Sequence, residues 1–205
     1  MRTEAPLFPV FLKLSGRKVL VVGGGSVAAS KLDALFRSGA TVIVVAPAFR
    51  PEIERSGAIL LRRGFEPSDL DGVWYTVAAA TPDVNRRVAA AAEERRVFVN
   101  AVDDPPSASA YAGGVLRRGG LTIAISTEGE APALAGLVRE ALGATIPDDI
   151  EAWLQEARRQ KRVWREKRIA MSARRPLLLA ALNRLYAGRS TGGSDEEKAI
   201  VEGSR

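Results

Sequence analysis

The chain has 205 residues, 46% of them hydrophobic and 26% charged, with thirty Lys and Arg against twenty-four Asp and Glu and neither histidine nor cysteine. Disulfides, thiolate nucleophiles, imidazole bases and the commonest metal ligands are thereby excluded, so any proton transfer rests on Asp, Glu, Lys, Tyr or water. The formal net charge of +6 favours anionic partners such as nucleic acid, an acidic membrane surface or a small molecule with several carboxylates or phosphates; the alternative is a solvated basic surface.

The length accommodates one substantial core and a smaller second module. No run of roughly 18 or more uncharged apolar residues offers a membrane span, and Met1 to Glu4 lacks the layout of a leader peptide. The expectation is a soluble, cytoplasmic protein. Residues Pro6 to Ser15 are largely apolar and are predicted to fold as an edge segment against a sheet.

Lys18 to Val22 is a continuous apolar run that breaks into Gly23-Gly24-Gly25 and then a helix-forming segment, the pattern of a buried parallel strand, a tight turn and a helix N-terminus. The chemistry suits a dinucleotide turn. Gly23 permits the reversal, Gly25 lets the backbone approach a pyrophosphate, and Ala28 keeps helix and strand close. The helix opening at Ser26 and Val27 then points its N–H groups at the phosphates. A structural turn with nothing bound is the alternative.

Helix one is predicted over Val27 to Ser38, burying Ala28, Leu32, Leu35 and Phe36, with Gly39 ending it. A strand follows at Thr41 to Val45. The acidic residue that often holds ribose hydroxyls at this strand end is missing from Val44-Val45-Ala46-Pro47-Ala48-Phe49-Arg50. Arg50 is either a partner for a 2′-phosphate or a solvated loop cation. Strands are predicted at Ile59 to Arg62, Val73 to Ala78 and Val97 to Asn100. Thr81 caps and Pro82 opens an Ala-rich helix lasting to Arg95.

This rhythm predicts an α/β fold with a mostly parallel, doubly wound sheet. Ligands bind such sheets at the carboxyl ends of the strands, which makes Ala79, Ala80, Thr81, Asn100, Ala101 and Val102 the expected lining of a cofactor crevice. Asp103 stands just beyond a strand end, where a carboxylate serves as a general base, an effect of ~10²–10⁴-fold in rate. The alternative is a turn aspartate bonding its own backbone before Pro105.

Ala110 to Val115 and Leu121 to Ser126 read as a hairpin across residues 116–120. Ser126-Thr127-Glu128-Gly129-Glu130-Ala131-Pro132 is a second polar turn entering a helix that ends near Leu142. Its hydroxyl pair is a second anion site or ordinary capping. From Asp148 the chain is helical and basic, densest over 158–168, and a second helix covers Leu177 to Tyr186. Beyond Gly188 a mobile tail is expected, with a turn or two of helix near Glu196 to Val201.

Three motifs in order carry a resemblance. Pro6-Leu7-Phe8-Pro9-Val10-Phe11-Leu12-Lys13-Leu14-Ser15-Gly16-Arg17-Lys18 with Gly23-Gly24-Gly25-Ser26-Val27-Ala28 and Lys31 resembles the opening of the precorrin-2 dehydrogenase/ferrochelatase module of siroheme synthase. Asn100-Ala101-Val102-Asp103 resembles its central motif, and Ile125 to Ala135 its serine/threonine-glycine-proline segment.

The resemblance covers about residues 6–170. It implies NAD-dependent oxidation of precorrin-2 to sirohydrochlorin in siroheme or cobalamin biosynthesis. It also implies a Rossmann-like domain over 1–112, an α+β dimerisation segment over 113–147, a helical domain over 148–188, a mobile tail over 189–205, and a homodimer. Cofactor contacts are implied at Gly23, Gly24, Gly25, Ser26, Val27, Pro47, Ala48, Ala80, Thr81, Asn100 and Val102. Asp103 is implied as the essential carboxylate, with Asp104 the neighbouring alternative, and Ser126, Thr127 and Gly129 as substrate contacts.

Some relatives also insert iron. Without His or Cys, such an activity here would use carboxylates, hydroxyls or backbone, which suits a transient hard-ion relay better than a resident metal site. The methyltransferase half of fused siroheme synthases is not expected in this chain. Precorrin-2 carries eight carboxylates, for which the run 158–168 or Arg117-Arg118 offers cations.

Two other classes compete. A non-catalytic NAD(P)-binding sensor would keep the glycines and need no Asp103. A nucleic-acid binder would use the basic helices, but Trp153 and Trp164 are their only aromatic interleaving and no binding motif is present, which argues against it.

Overall fold

A computed structural model describes residues 6–187, so the helical turn expected near Glu196 to Val201 lies outside the described residues. The chain divides into two compact units. One comprises residues up to Gly113 together with Ser126–Pro132; the other comprises Gly114–Ile125 and the residues from Ala133 onward.

The first unit contains β1 (Lys18–Val22), α1 (Ser26–Arg37), β2 (Thr41–Val45), a short α2 (Pro51–Glu54), β3 (Ile59–Leu61), β4 (Val73–Ala78), α3 (Pro82–Glu94) and β5 (Phe98–Ala101). The five strands form one parallel sheet in the order β3-β2-β1-β4-β5. The central position of β1 follows from its composition. Val19, Leu20, Val21 and Val22 are each at most 2% exposed, and full burial of such a side chain contributes ~1.5–3 kcal/mol.

Alternation sends Leu20 and Val22 to one face, where they meet Val45, Val88, Ala92 and Val99, and Val19 and Val21 to the other, against Ala28, Leu32, Leu35 and Val44. Both faces are covered, as a parallel sheet requires. Thr76 on β4 is fully buried, and its hydroxyl has no hydrogen-bond partner among the described residues.

The strand ends are level. Val22 lies opposite Val45 and Ala78, and Ala78 opposite Ala101. Pairing continues one residue further, with Gly23 N–H donating to the Val45 carbonyl at 2.9 Å, Ala79 N–H to Val22 at 2.8 Å and Val102 N–H to Ala78 at 2.9 Å. The chain reverses its winding between β1 and β4, and it is outside such a switch point that ligands bind.

Gly39 ends α1 as expected. At φ +75° it gives its N–H to the Phe36 carbonyl while Ala40 N–H reaches Leu35, the paired bonds of a Schellman turn.

The segment before β1 differs from its prediction. Residues 6–14 form neither strand nor helix. Leu7, Phe8, Val10, Phe11 and Leu12 are exposed and Leu14 alone is buried, while the sheet edges are β3 and β5. Pro6 and Pro9 lack the N–H donors that a ladder needs, which explains why the apolar content did not make a strand.

The second unit contains an antiparallel hairpin of β6 (Gly114–Arg118) and β7 (Leu121–Ile125), then α4 (Pro132–Thr145), whose first residue belongs to the first unit, α5 (Ile150–Glu166) and α6 (Met171–Ala187). The predicted five-residue connection is a two-residue turn. Gly119 and Gly120 take φ +50° and +84°, the sense required by the tight hairpin turns whose twist matches the strands. Leu116 and Arg117 are therefore strand, not loop.

A Cβ on Gly119 would also stand 2.9 Å from the Glu151 backbone nitrogen, so the turn abuts the start of α5. Trp153 Nε1 donates to the Tyr186 hydroxyl, Tyr186 bonds Asp149, and the two rings meet edge to face at 6.1 Å. These contacts join the start of α5 to the end of α6. Only Ala135 and Ala181 are buried among the described residues of this unit. No helix among the described residues is long and apolar enough to cross a membrane.

Candidate active site

The three glycines after β1 do different work. Gly23, at φ +133°, faces the β4 end so closely that a Cβ would lie 2.2 Å from the Ala79 carbonyl oxygen. Gly24 faces the loop after β2, where a Cβ would lie 1.8 Å from the Ala48 oxygen, and its own carbonyl accepts the Arg50 N–H at 2.9 Å. These two are closed by backbone contact. Gly25 is open, with nothing within 4 Å of a Cβ placed on it.

Gly25 is also the N-cap of α1, with no side-chain cap bond and no acid in the first turn. The first helical bond runs from Ala29 N–H to the Gly25 carbonyl at 3.1 Å. The N–H groups of Ser26, Val27 and Ala28 therefore remain for an outside acceptor. Open space above a glycine and three unspent donors at a positive helix end fit the pyrophosphate of a dinucleotide.

Pro47 and Ala48 are exposed beside this turn. Arg50 is exposed and shares its guanidinium with Glu52 at 3.4 Å.

At the end of β4, Ala80 N–H donates to the Asn85 side-chain oxygen at 2.9 Å, and Asn85 is 4% exposed in the first turns of α3. A polar residue within an apolar helical face is the one sign of Asn85 in the sequence. Thr81 sits at the N-cap of α3 and makes no side-chain cap bond, so its predicted capping role rests on its extended backbone alone. Thr81 is exposed.

At the end of β5, Asn100 is buried and its amide donates to the Ala110 carbonyl at 3.1 Å, while the Ser109 hydroxyl accepts the Val99 N–H. Asn100 thus holds the returning chain against β5. Asp103 follows in left-handed backbone at φ +57° and is exposed. No hydrogen bond or ion pair engages its carboxylate among the described residues, so it does not serve the turn-capping role. Left-handed backbone in a non-glycine residue costs energy and concentrates at functional sites. Two strand spacings of ~4.8 Å put the β5 end about 10 Å from the β1 end, within the reach of one dinucleotide and its substrate.

The turn carrying Ser126, Thr127 and Gly129 belongs to the same unit. Tyr111, which the sequence did not single out, provides the contact. Its hydroxyl donates to the Pro105 carbonyl at 3.2 Å, and a Cβ on Gly129 would lie 3.2 Å from its ring and 3.5 Å from Pro105. The turn thus rests on the loop that follows Asp103 and Asp104. The hydroxyls themselves face inward along the turn: Ser126 accepts the Glu128 N–H at 3.1 Å and Thr127 the Ala131 N–H at 3.2 Å. Capping is their observed use.

Burial in β4 pushes the Tyr75 hydroxyl up to about 12, further from serving as a base at neutral pH. No three His, Cys, Asp or Glu side chains gather as a metal site among the described residues.

A family model described as “Putative NAD(P)-binding” matches residues 10–114, and one described as “Sirohaem biosynthesis protein central” matches 118–145. The chain belongs to the family these models describe, the NAD(P)-binding module of sirohaem-biosynthesis proteins. Siroheme synthase of Sodalis glossinidius (strain morsitans) is 37% identical over 195 residues, covering 92% of this chain and 41% of the relative. Siroheme synthase 2 of Yersinia pestis (strain Pestoides F) is 36% identical over 205 residues, covering 95% and 43%.

The module thus spans about two-fifths of the length of these curated relatives. The solved structure of SirC, precorrin-2 dehydrogenase, superposes with a TM-score of 0.63 at 25% identity, covering 85% of this chain and 88% of that one.

The glycines make separable predictions. Gly23→Ala drives a methyl into the Ala79 carbonyl at an unfavourable φ and should lower the melting temperature strongly or abolish folding. Gly25→Ala should melt like the parent, since its φ of −89° suits any residue, yet weaken dinucleotide binding at least tenfold by calorimetry. Unchanged binding in the Gly25 variant would remove this turn as the cofactor site.

Proposed function

We propose that the chain oxidises precorrin-2 to sirohydrochlorin with NAD, as a cytoplasmic step in siroheme or cobalamin biosynthesis. The observation that carries the proposal is the level carboxyl edge of β1, β4 and β5, which brings an open helix N-terminus and the unengaged carboxylate of Asp103 to one side of the sheet. The likeness to SirC, a precorrin-2 dehydrogenase, and to the siroheme synthase relatives supports the same reading.

In this reading Ser26 and Val27 donate backbone N–H groups to the pyrophosphate. Gly23 and Gly24 hold the turn against the Ala79 and Ala48 carbonyls, and Pro47, Ala48, Ala80, Thr81, Asn100 and Val102 border the dinucleotide. When bound, NAD supplies the hydride acceptor.

The oxidation removes two electrons and two hydrogens from the macrocycle: one leaves as hydride and the other as a proton, which the Asp103 carboxylate accepts and releases to water. Asn100 fixes the backbone leading to Asp103. Ser126, Thr127 and Gly129 form the substrate-side turn, with Tyr111 supporting it from below.

Anaerobic incubation with precorrin-2 and NAD should produce sirohydrochlorin absorbance and one equivalent of NADH. Asp103→Ala should bind NAD normally and lose turnover by ~10²-fold or more, whereas Asp104→Ala should retain most of it. NAD binding without turnover by the parent chain would mark a sensor and overturn the proposal; near-parental kcat in the Asp103 variant would overturn the base assignment.

The same reading includes a homodimer formed by the second unit. Leu134, Leu137 and Val138 are exposed along one face of α4 and Val115 on β6, an apolar surface that association would cover. The parent should sediment at twice its 21.9 kDa mass, and Leu137→Glu should shift it to the monomer. A parent that sediments as a monomer would contradict the dimer.

A further inference from the structure

The basic surplus of the chain is concentrated in one place. Residues 150–187 hold ten Lys and Arg against three Glu, a net +7 in a chain whose total is +6. Within that segment the cations are not equivalent.

Arg159 is taken up by Glu156, which it meets at 2.7 Å through two nitrogens, with Gln160 adding a bond at 2.8 Å. Bonds from Arg159 first and then Gln160 hold the Glu156 carboxyl down to about 2. Arg174 donates twice to the Ile169 carbonyl and lies over the Trp164 ring at 6.0 Å. These arginines do structural work, which removes Arg159 from the set of cations open to a ligand.

Arg158, Lys161, Arg162 and Arg165 are different. They recur at i, i+3, i+4 and i+7 of α5 and so share one face. All four are exposed, and none has an acidic partner among the described residues. The stripe is ~10 Å long at 1.5 Å per residue. The half-buried Trp153, Glu156, Gln160 and Trp164 lie on the other side, while the half-buried Leu154, one turn before Arg158, packs at the hairpin turn. Like charges at i, i+4 destabilise a helix, so the stripe stands at a cost that an anionic ligand would offset. Its first member adjoins the hairpin turn: a Cβ on Gly120 would lie 3.9 Å from an Arg158 guanidinium nitrogen. Arg117, two residues before that turn, is exposed as well.

We infer that this face of α5 is a docking surface for a polycarboxylate macrocycle, with Arg158, Lys161, Arg162 and Arg165 meeting several ring carboxylates together. The identity of the macrocycle as the oxidised substrate rests on the proposed function; the polycarboxylate chemistry rests on the stripe. Neighbouring cations ~5–6 Å apart suit carboxylates set around a rigid ring. The face presents no aromatic side chain on which a base could stack and no apolar residue to enter a membrane.

The test uses the full chain and the variant R158Q/K161Q/R162Q/R165Q, with uroporphyrin as an octacarboxylate probe, coproporphyrin as a tetracarboxylate and a DNA duplex as a competing polyanion. At low salt the variant should bind uroporphyrin about tenfold or more weakly and lose the parent's preference over coproporphyrin. Its melting temperature should be equal or slightly higher, since the like-charge i, i+4 pairs are relieved, and its NAD affinity should be unchanged. Added salt should erase the difference between the two proteins. A control variant, R37Q/R55Q/R86Q/R95Q, should bind as the parent does.

Equal uroporphyrin affinity in parent and stripe variant, an equal loss in the control, or a loss confined to the duplex would overturn the inference. Failure of the parent to oxidise precorrin-2 would instead bring down the proposed function, leaving the uroporphyrin result to stand by itself.

Discussion

The contact of Gly23 with the Ala79 carbonyl is the constraint on which the remainder of the first unit depends. It fixes how closely the end of β1 approaches the end of β4, and no residue with a side chain satisfies it. With that approach set, the ladder runs level across β2, β1, β4 and β5, and each strand delivers its following loop to the same edge. Gly24 makes the equivalent contact towards β2. The helix that follows is then left with three unspent N–H groups and an open Gly25, the sort of site at which a dinucleotide pyrophosphate is held.

Most of this architecture was legible because it is local. β2 and β4 carry their predicted bounds, and α1 and α3 fall within a residue of theirs, since strand periodicity, Pro82 and Gly39 punctuate the chain strongly. Two elements misled. Pro6 to Ser15 has the apolar content of a strand but not its donors. The hairpin was shifted because Leu116-Arg117-Arg118 resembles a polar loop, whereas Gly119-Gly120 alone supplies both positive φ angles. The second unit's burial gives little guidance, with two alanines as its buried described residues.

The candidate site was legible where backbone chemistry decides it and obscure where individual side-chain hydrogen bonds do. Gly25 and Asp103 stand at predictable places after strands. Asn85 and Tyr111 act through single side-chain hydrogen bonds, with Ala80 N–H and the Pro105 carbonyl five and six residues away, and no motif announces such partners. The hydroxyls of Ser126 and Thr127 cap their own turn, so the proposed substrate side is shaped by backbone and by Gly129 against Tyr111 as much as by free hydroxyls. Arg159, prominent in the basic run, is bound to Glu156, and only the structure separates it from the cations beside it.

Backbone amide NMR of the full chain, titrated with NAD and then with sirohydrochlorin under anaerobic conditions, tests the proposed site at the carboxyl edge of the sheet most directly. NAD should perturb Ser26, Val27, Ala28 and Ala80, and sirohydrochlorin should then perturb Asp103 and the 126–130 turn. Saturable shifts confined to other surfaces, or none at the N-terminus of α1, would contradict it.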